Sequence, residues 1–223
     1  MNFDLIGPIS PAVVSTLVIV GFLSVIFIIA GLRIQKMDPA KTPKGFMFLM
    51  VSIVDFFNKF LSGYIEGKKF KFFAPYLFTI IVFLALANTS ALLGFTAPLS
   101  NIGVALSFSL LTFIMMRVAE FKYISLKDKM NSLIGPVKPL APIMIPINII
   151  GEFSTPFSMG LRLFVNLMSG AVIAAIVYGL VGWVGGLFAG IVLHGMFDIF
   201  FGLIQAFVFF MLTTVNLSMA AEA

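Results

Sequence analysis

Apolar residues dominate this chain in runs too long for the helices of a soluble core. About twenty consecutive apolar residues let a helix cross the ~30 Å hydrocarbon core of a bilayer. Runs of that length lie near 11–32, 73–96 and 102–120, and two longer ones near 140–180 and 186–218. The pattern changes in residues 45–65, GFMFLMVSIVDFFNKFLSGYI, where Asp55, Asn58 and Lys59 interrupt the apolar run and Lys68-Lys69-Phe70-Lys71 follows it. An apolar face joined to a charged one suits a helix lying in the membrane interface rather than crossing it. Pro136, Pro139, Pro142 and Pro146 crowd the start of the fourth run, since proline is tolerated before a helix and in its first turn. Pro156 predicts a kink or restart. The expected fold is an all-α membrane protein, with residues 1–223 forming a single polytopic membrane domain. It has five transmembrane helices plus an interfacial amphipathic helix, the last two spans being long.

Composition agrees with lipid as the solvent: 61% of residues are hydrophobic, 10% are charged, and the mean hydropathy is +1.14. Soluble domains run nearer half apolar and a quarter charged. With no cysteine there is no disulfide framework and no thiolate ligand or nucleophile, and a single histidine, His194, cannot build a multi-histidine metal site. No cofactor is expected. The net charge of +5 needs no nucleic acid to explain it. Thirteen of the fourteen Lys and Arg residues fall in three places, Arg33 to Lys44, Lys59 to Lys71 and Arg117 to Lys138. The positive-inside rule puts these in the cytoplasm, the N-terminus outside and the C-terminus inside. Tyr178 and Trp183 then fall at the outer edge, where interfacial aromatics belong. Met1 to Pro11 carries no Lys or Arg, and the run after it exceeds a signal-peptide core, so it reads as a retained span.

The fourteenth cation is Arg162, in SMGLRLFVNLMSGAVIAAIV. It lies about twenty residues from the outer loop, which is mid-membrane depth at 1.5 Å per residue. A central arginine costs about 2.5–3.5 kcal/mol on insertion scales, and its guanidinium does not give up its proton. Something must compensate that charge. An ion pair with Asp198 or Glu152 that only pins helices together is one reading; a functional charge is the other, and intramembrane charges default to function. Asn166 shares the face of Arg162 one turn later, and Ser158 and Ser154 extend it backwards. For the serines, helix–helix hydrogen bonding is sufficient.

In HGMFDIFFGLIQAF, His194, Asp198 and Gln205 recur at spacings of four and seven, which puts them on one face of a regular helix. Counted from the outer loop, His194 and Asp198 come first and Gln205 reaches the depth of Arg162. Glu152 lies on the other side of the arginine. One protonatable group outward and one inward suit two water-accessible half-paths separated by a positive barrier.

The stretches IPINIIGEFSTPFSMGLRLFVNLMSG and LIQAFVFFMLTTVNLSMA resemble subunit a of the F-type ATP synthases. The likeness covers most of the chain and includes a hairpin containing Asn88. It implies that the last two helices are tilted and pack against a rotating ring of c subunits, each bearing one membrane carboxyl. It also implies a peripheral-stalk subunit b and the remaining F1Fo subunits as partners, and a non-catalytic, proton-translocating role in a bacterial plasma membrane. By resemblance Arg162 is the essential arginine, Asn166 the asparagine one turn later, Gln205 the partner glutamine, and Glu152 the acid near the cytoplasmic half-channel. Many members carry His or Glu eight or nine residues after the arginine, where this chain has Gly170 and Ala171. Others carry a carboxylate seven residues before the glutamine, which is Asp198 here, with His194 one turn away as a substitute for the missing group. Two other classes are weaker. A small secondary transporter would show paired repeats, and a membrane-embedded enzyme would need clustered carboxylates or an activated nucleophile.

Overall fold

The computed structural model describes residues 10–36, 43–65, 67–123, 125, 127, 129, 134 and 140–222. Pro136 and Pro139 lie outside the described residues, as does the side chain of Trp183. Within the described residues the chain is helical. Helix α1 is Pro11–Gln35, α2 is Phe46–Leu61, α3 is Gly67–Thr89 and α4 is Ile102–Tyr123, with short 3-10 turns at Ser90–Leu93 and Pro98–Ser100 between α3 and α4. A continuous helical run from Ala141 to His194 breaks at Gly182, whose φ of 67° is open to glycine but strained for other residues. We call the part before the break α5 and the part after it α6. Helix α6 continues through a π-helical segment, Gly195–Phe201, into Gly202–Glu222.

Five of these helices are long and apolar enough to cross a membrane: α1, α3, α4, α5 (Ala141–Gly182, 42 residues) and α6 (Gly185–Ser218, 34 residues). At 1.5 Å per residue α5 is about 63 Å long, twice the hydrocarbon thickness. A helix of that length fits only by inclining or by projecting beyond the bilayer. Helix α2 sits where the amphipathic segment was expected and is apolar except for Ser52, Asn58 and the Asp55–Lys59 pair, which bonds at 2.8 Å. The hydrogen bond to Asp55, and then its charge, raise the Lys59 ammonium above its ordinary pKa, so Lys59 stays cationic at neutral pH.

Packing follows helical period. In α5, Pro156, Met159, Gly160, Leu163, Leu167 and Gly170 are buried, while Leu161, Arg162, Val165, Met168, Ser169 and Val172 are exposed. The buried stripe meets Leu84 and Ala87 of α3, Ala105 of α4 and Ala206 and Phe209 of α6 in one core. A second core joins Leu61, Phe73, Leu77, Met116, Phe210 and Leu217. Close approach of α4 to α5 depends on Gly160: a Cβ there would lie 3.0–3.2 Å from Leu106, Ser109 and the Ala105 carbonyl. The Ser109 hydroxyl also donates to the Pro156 carbonyl. Arg162, two residues on, is rotated about 200° from Gly160. The tight α4–α5 contact therefore turns the arginine outward.

Candidate functional site

Arg162 lies 21 residues after Ala141 and 20 before Gly182, the middle of the span. Its side chain is exposed on a face whose neighbours, Leu161 and Val165, are 41% and 52% exposed. Among the described residues it has no ion pair and no hydrogen bond. The pinning reading is therefore excluded for the pairs considered, because both acids are engaged elsewhere. A permanent cation thus stands in the middle of an apolar, outward-facing surface, uncompensated among the described residues and costly in a bilayer.

Glu152 precedes Arg162 by ten residues, about 15 Å along the helix. One of its carboxylate oxygens accepts from Arg117 at 2.7 Å and the other bonds Lys129. Glu120 completes the group, 2.6 Å from Arg117 and 2.9 Å from Lys129. Two cations and two anions, all partly buried, tie the end of α4 to α5. From the sequence, Arg117 and Lys129 are only topology-setting charges. A pairing across 23 and 35 positions carries no periodic signal that could reveal it.

On the other side of Arg162, Gly170 meets α6. A Cβ on Gly170 would lie 2.9 Å from the Cβ of Phe197, so a histidine or glutamate at this position would collide with α6. The adjacent residue, Asp198, lines a cavity of about 220 Å³ with Leu167, Gly170, Ala171 and Ala174 of α5. The carboxylate of α6 thus faces Gly170 and Ala171 of α5 across the cavity.

His194 Nδ1 lies 2.6 Å from Asp198 Oδ2, and the Tyr178 hydroxyl lies 3.2 Å from His194 Nε2. When Asp198 is the carboxylate it can only accept, and Nδ1–H donates to it; with the ring neutral, Nε2 then accepts from the tyrosine O–H. His194 lines the small cavity and also a second, open one of about 650 Å³ shared with Tyr178, Gly186 and Gly190. Gly190 makes room for the phenol: a Cβ there would sit 3.0 Å from its oxygen. Tyr178 was expected only as an interfacial anchor. The missed signal was the spacing Gly186, Gly190, His194, Asp198, one residue per turn, which is a small-residue track leading to two titratable groups.

Gln205 is half-buried, and no hydrogen bond joins it to Arg162 among the described residues. The two helices run antiparallel, so eight steps from the Gly170–Phe197 contact bring Arg162 and Gln205 to about the same level. The expectation of one continuous face for His194, Asp198 and Gln205 is corrected. Asp198 lies inside the π-helical segment Gly195–Phe201, which ends four residues before Gln205; its i→i+5 bonding fits an extra residue into the turn, rotating the remainder of α6 by about 100°. Asn166 is half-buried one turn from Arg162.

Comparison with known proteins gives the family. The model of the ATP synthase A chain family matches residues 13–218. "ATP synthase subunit a" of Desulfotalea psychrophila is 30% identical over 95% of this chain and 85% of its own length. The protein of the same name from Chlorobium phaeobacteroides is 28% identical over 99% of this chain. "ATP synthase subunit a 2" of Chlorobaculum tepidum is 30% identical over 86%. The chain spans 66% and 57% of the length of these last two relatives. It is a multi-pass membrane protein, and it belongs to the ATP synthase A chain family.

Proposed function

We propose that this chain is the proton-translocating stator subunit of a bacterial plasma-membrane ATP synthase, coupling ion flow to rotation of a ring of c subunits. The observation that carries the reading is Arg162, central, exposed, unpaired among the described residues and surrounded by lipid-type surface. A ring carboxyl arriving opposite Arg162 is favoured as the carboxylate, because a positive neighbour lowers its pKa. Leaving the arginine for lipid, the same carboxyl must first be neutralised, since an ionised carboxylate in hydrocarbon is very costly. Tyr178, His194 and Asp198 supply that proton from the outer side, with His194 between the open and the small cavity. Glu152, ten residues to the inner side and held between Arg117 and Lys129, marks the opposite path. Arg162 itself bars direct passage between the two. Asn166 lies one turn from the arginine, and Gln205 at about its level on the facing helix. A membrane potential adds about 2.3 kcal/mol per charge per 100 mV.

With the basic segments on the cytoplasmic side, the N-terminus is outside, the C-terminus inside, and α2 lies in the interface. Subunit b and the other F1Fo subunits complete the assembly. The test is isolation under mild detergent. The tagged chain should bring down a ring of small hydrophobic subunits together with a soluble ATPase head. Recovery of an active carrier consisting of this chain alone would contradict the proposal.

A further inference from the structure

The π-helical segment is held at both ends by contacts that only particular residues permit. At its start Phe197 packs on Gly170. Its end meets α3: Asn88, 1% exposed, donates from Nδ2 to the Gly202 carbonyl at 2.8 Å. A Cβ added to Gly202 would lie 3.0 Å from the Cβ of Asn88. The other amide atom, Asn88 Oδ1, is buried without a partner among the described residues. A residue present for packing alone would not carry such an orphan, because a leucine of similar size fills the space without one.

We infer that Asn88 is a positioning residue: its hydrogen bond to Gly202 holds the wide turn of α6, which lets Asp198 face the cavity beside Gly170 while Gln205 stays in register with Arg162. A π turn is intrinsically poorer than the α-helix around it, so it persists only where neighbours hold it. Released at Gly202, the turn relaxes to α geometry and every residue after it changes face by about 100°. The consequence for ion passage rests on the proposed function; the register itself does not.

The chain has no cysteine, so register can be read by cross-linking inside the assembled complex. Phe108 of α4 and Phe209 of α6 are in ring contact, with centroids 5.5 Å apart. Phe108→Cys is combined in turn with Val208→Cys, Phe209→Cys and Phe210→Cys and treated with a short bifunctional thiol reagent. In the parent, position 209 should give the highest yield. With Asn88→Leu added, the preference should move to a neighbouring position, changing the yield ratio on the order of 2- to 13-fold, the population shift corresponding to one net hydrogen bond. Gly202→Ala, which keeps the donor but forces the helices apart, should move it likewise and serves if Asn88→Leu does not assemble. An assembled variant with lower yield at every position but unchanged preference would overturn the inference, as would unchanged yields. A shifted register with normal proton pumping would instead leave the positioning intact and count against the proposed role of Gln205.

Discussion

Replacing Arg162 by alanine should abolish ATP-driven proton pumping in vesicles reconstituted with the complete complex, while ATP hydrolysis by the soluble head continues. The size of the effect comes from the electrostatics. An adjacent positive charge lowers a carboxyl pKa by about 1–3 units, so its removal cuts the ionised fraction opposite α5 by about 10- to 1,000-fold. The same change removes the barrier between the two half-paths, so passive proton leak through head-stripped vesicles should not fall in parallel. Lysine is a poor replacement. Its ammonium loses its proton readily in apolar surroundings, whereas guanidinium does not, and Arg162→Lys should recover only a minor part of the pumping. Intact pumping by Arg162→Ala would remove the basis of the proposed mechanism.

The second large effect is expected at Asp198. Asparagine is nearly isosteric and can still accept from His194, so the fold should be little disturbed, but it cannot carry a proton. General acid–base transfer is worth about 100- to 10,000-fold, and proton flux through head-stripped vesicles carrying Asp198→Asn should fall toward the lower end of that range or beyond. Asp198→Glu should restore a substantial part, because the cavity of about 220 Å³ beside Gly170 has room for one more methylene. His194→Ala should be milder, since it merges the two cavities that the imidazole separates and leaves the carboxylate reachable by water. Parental flux in Asp198→Asn would take the acid off the path and leave Arg162 without an outer donor.

Much of this arrangement was legible in the sequence, for reasons that differ by element. The spans could be read because lipid imposes a length and a polarity on any helix that crosses it. The turn at Gly182 could be read because residues 179–185 interrupt two long apolar runs. Arg162 was conspicuous because one charge in apolar surroundings contrasts with everything near it. The illegible features depend on contacts between helices. Glu152 looks solitary along the chain, yet its partners are Arg117 and Lys129, brought to it by the packing of α4 on α5. GMFDIFF contains nothing that separates a π turn from an α turn, because the wide geometry is held by Gly170 and Asn88 from other helices. The Tyr178–His194 contact likewise exists only after α5 and α6 fold back on each other.

Arg162 is what sets the exposed face of α5 apart from an ordinary span. Its outward face would be ordinary lipid-facing surface without the arginine, and the arginine would be intolerable there without a partner. The tight packing at Gly160, Ser109 and Pro156 is what fixes the direction in which that face looks.

The most direct measurement is therefore a cysteine scan along α5 against a cysteine placed beside the ring carboxyl of the c subunit, in the assembled complex. Leu161, Val165, Met168 and Val172 lie on the exposed face, and Met159, Leu163 and Leu167 on the buried one. Cross-links to the ring should form from the first group and not from the second. Cross-links from the buried positions, or none from the exposed face of an intact complex, would mean that Arg162 does not face the rotor.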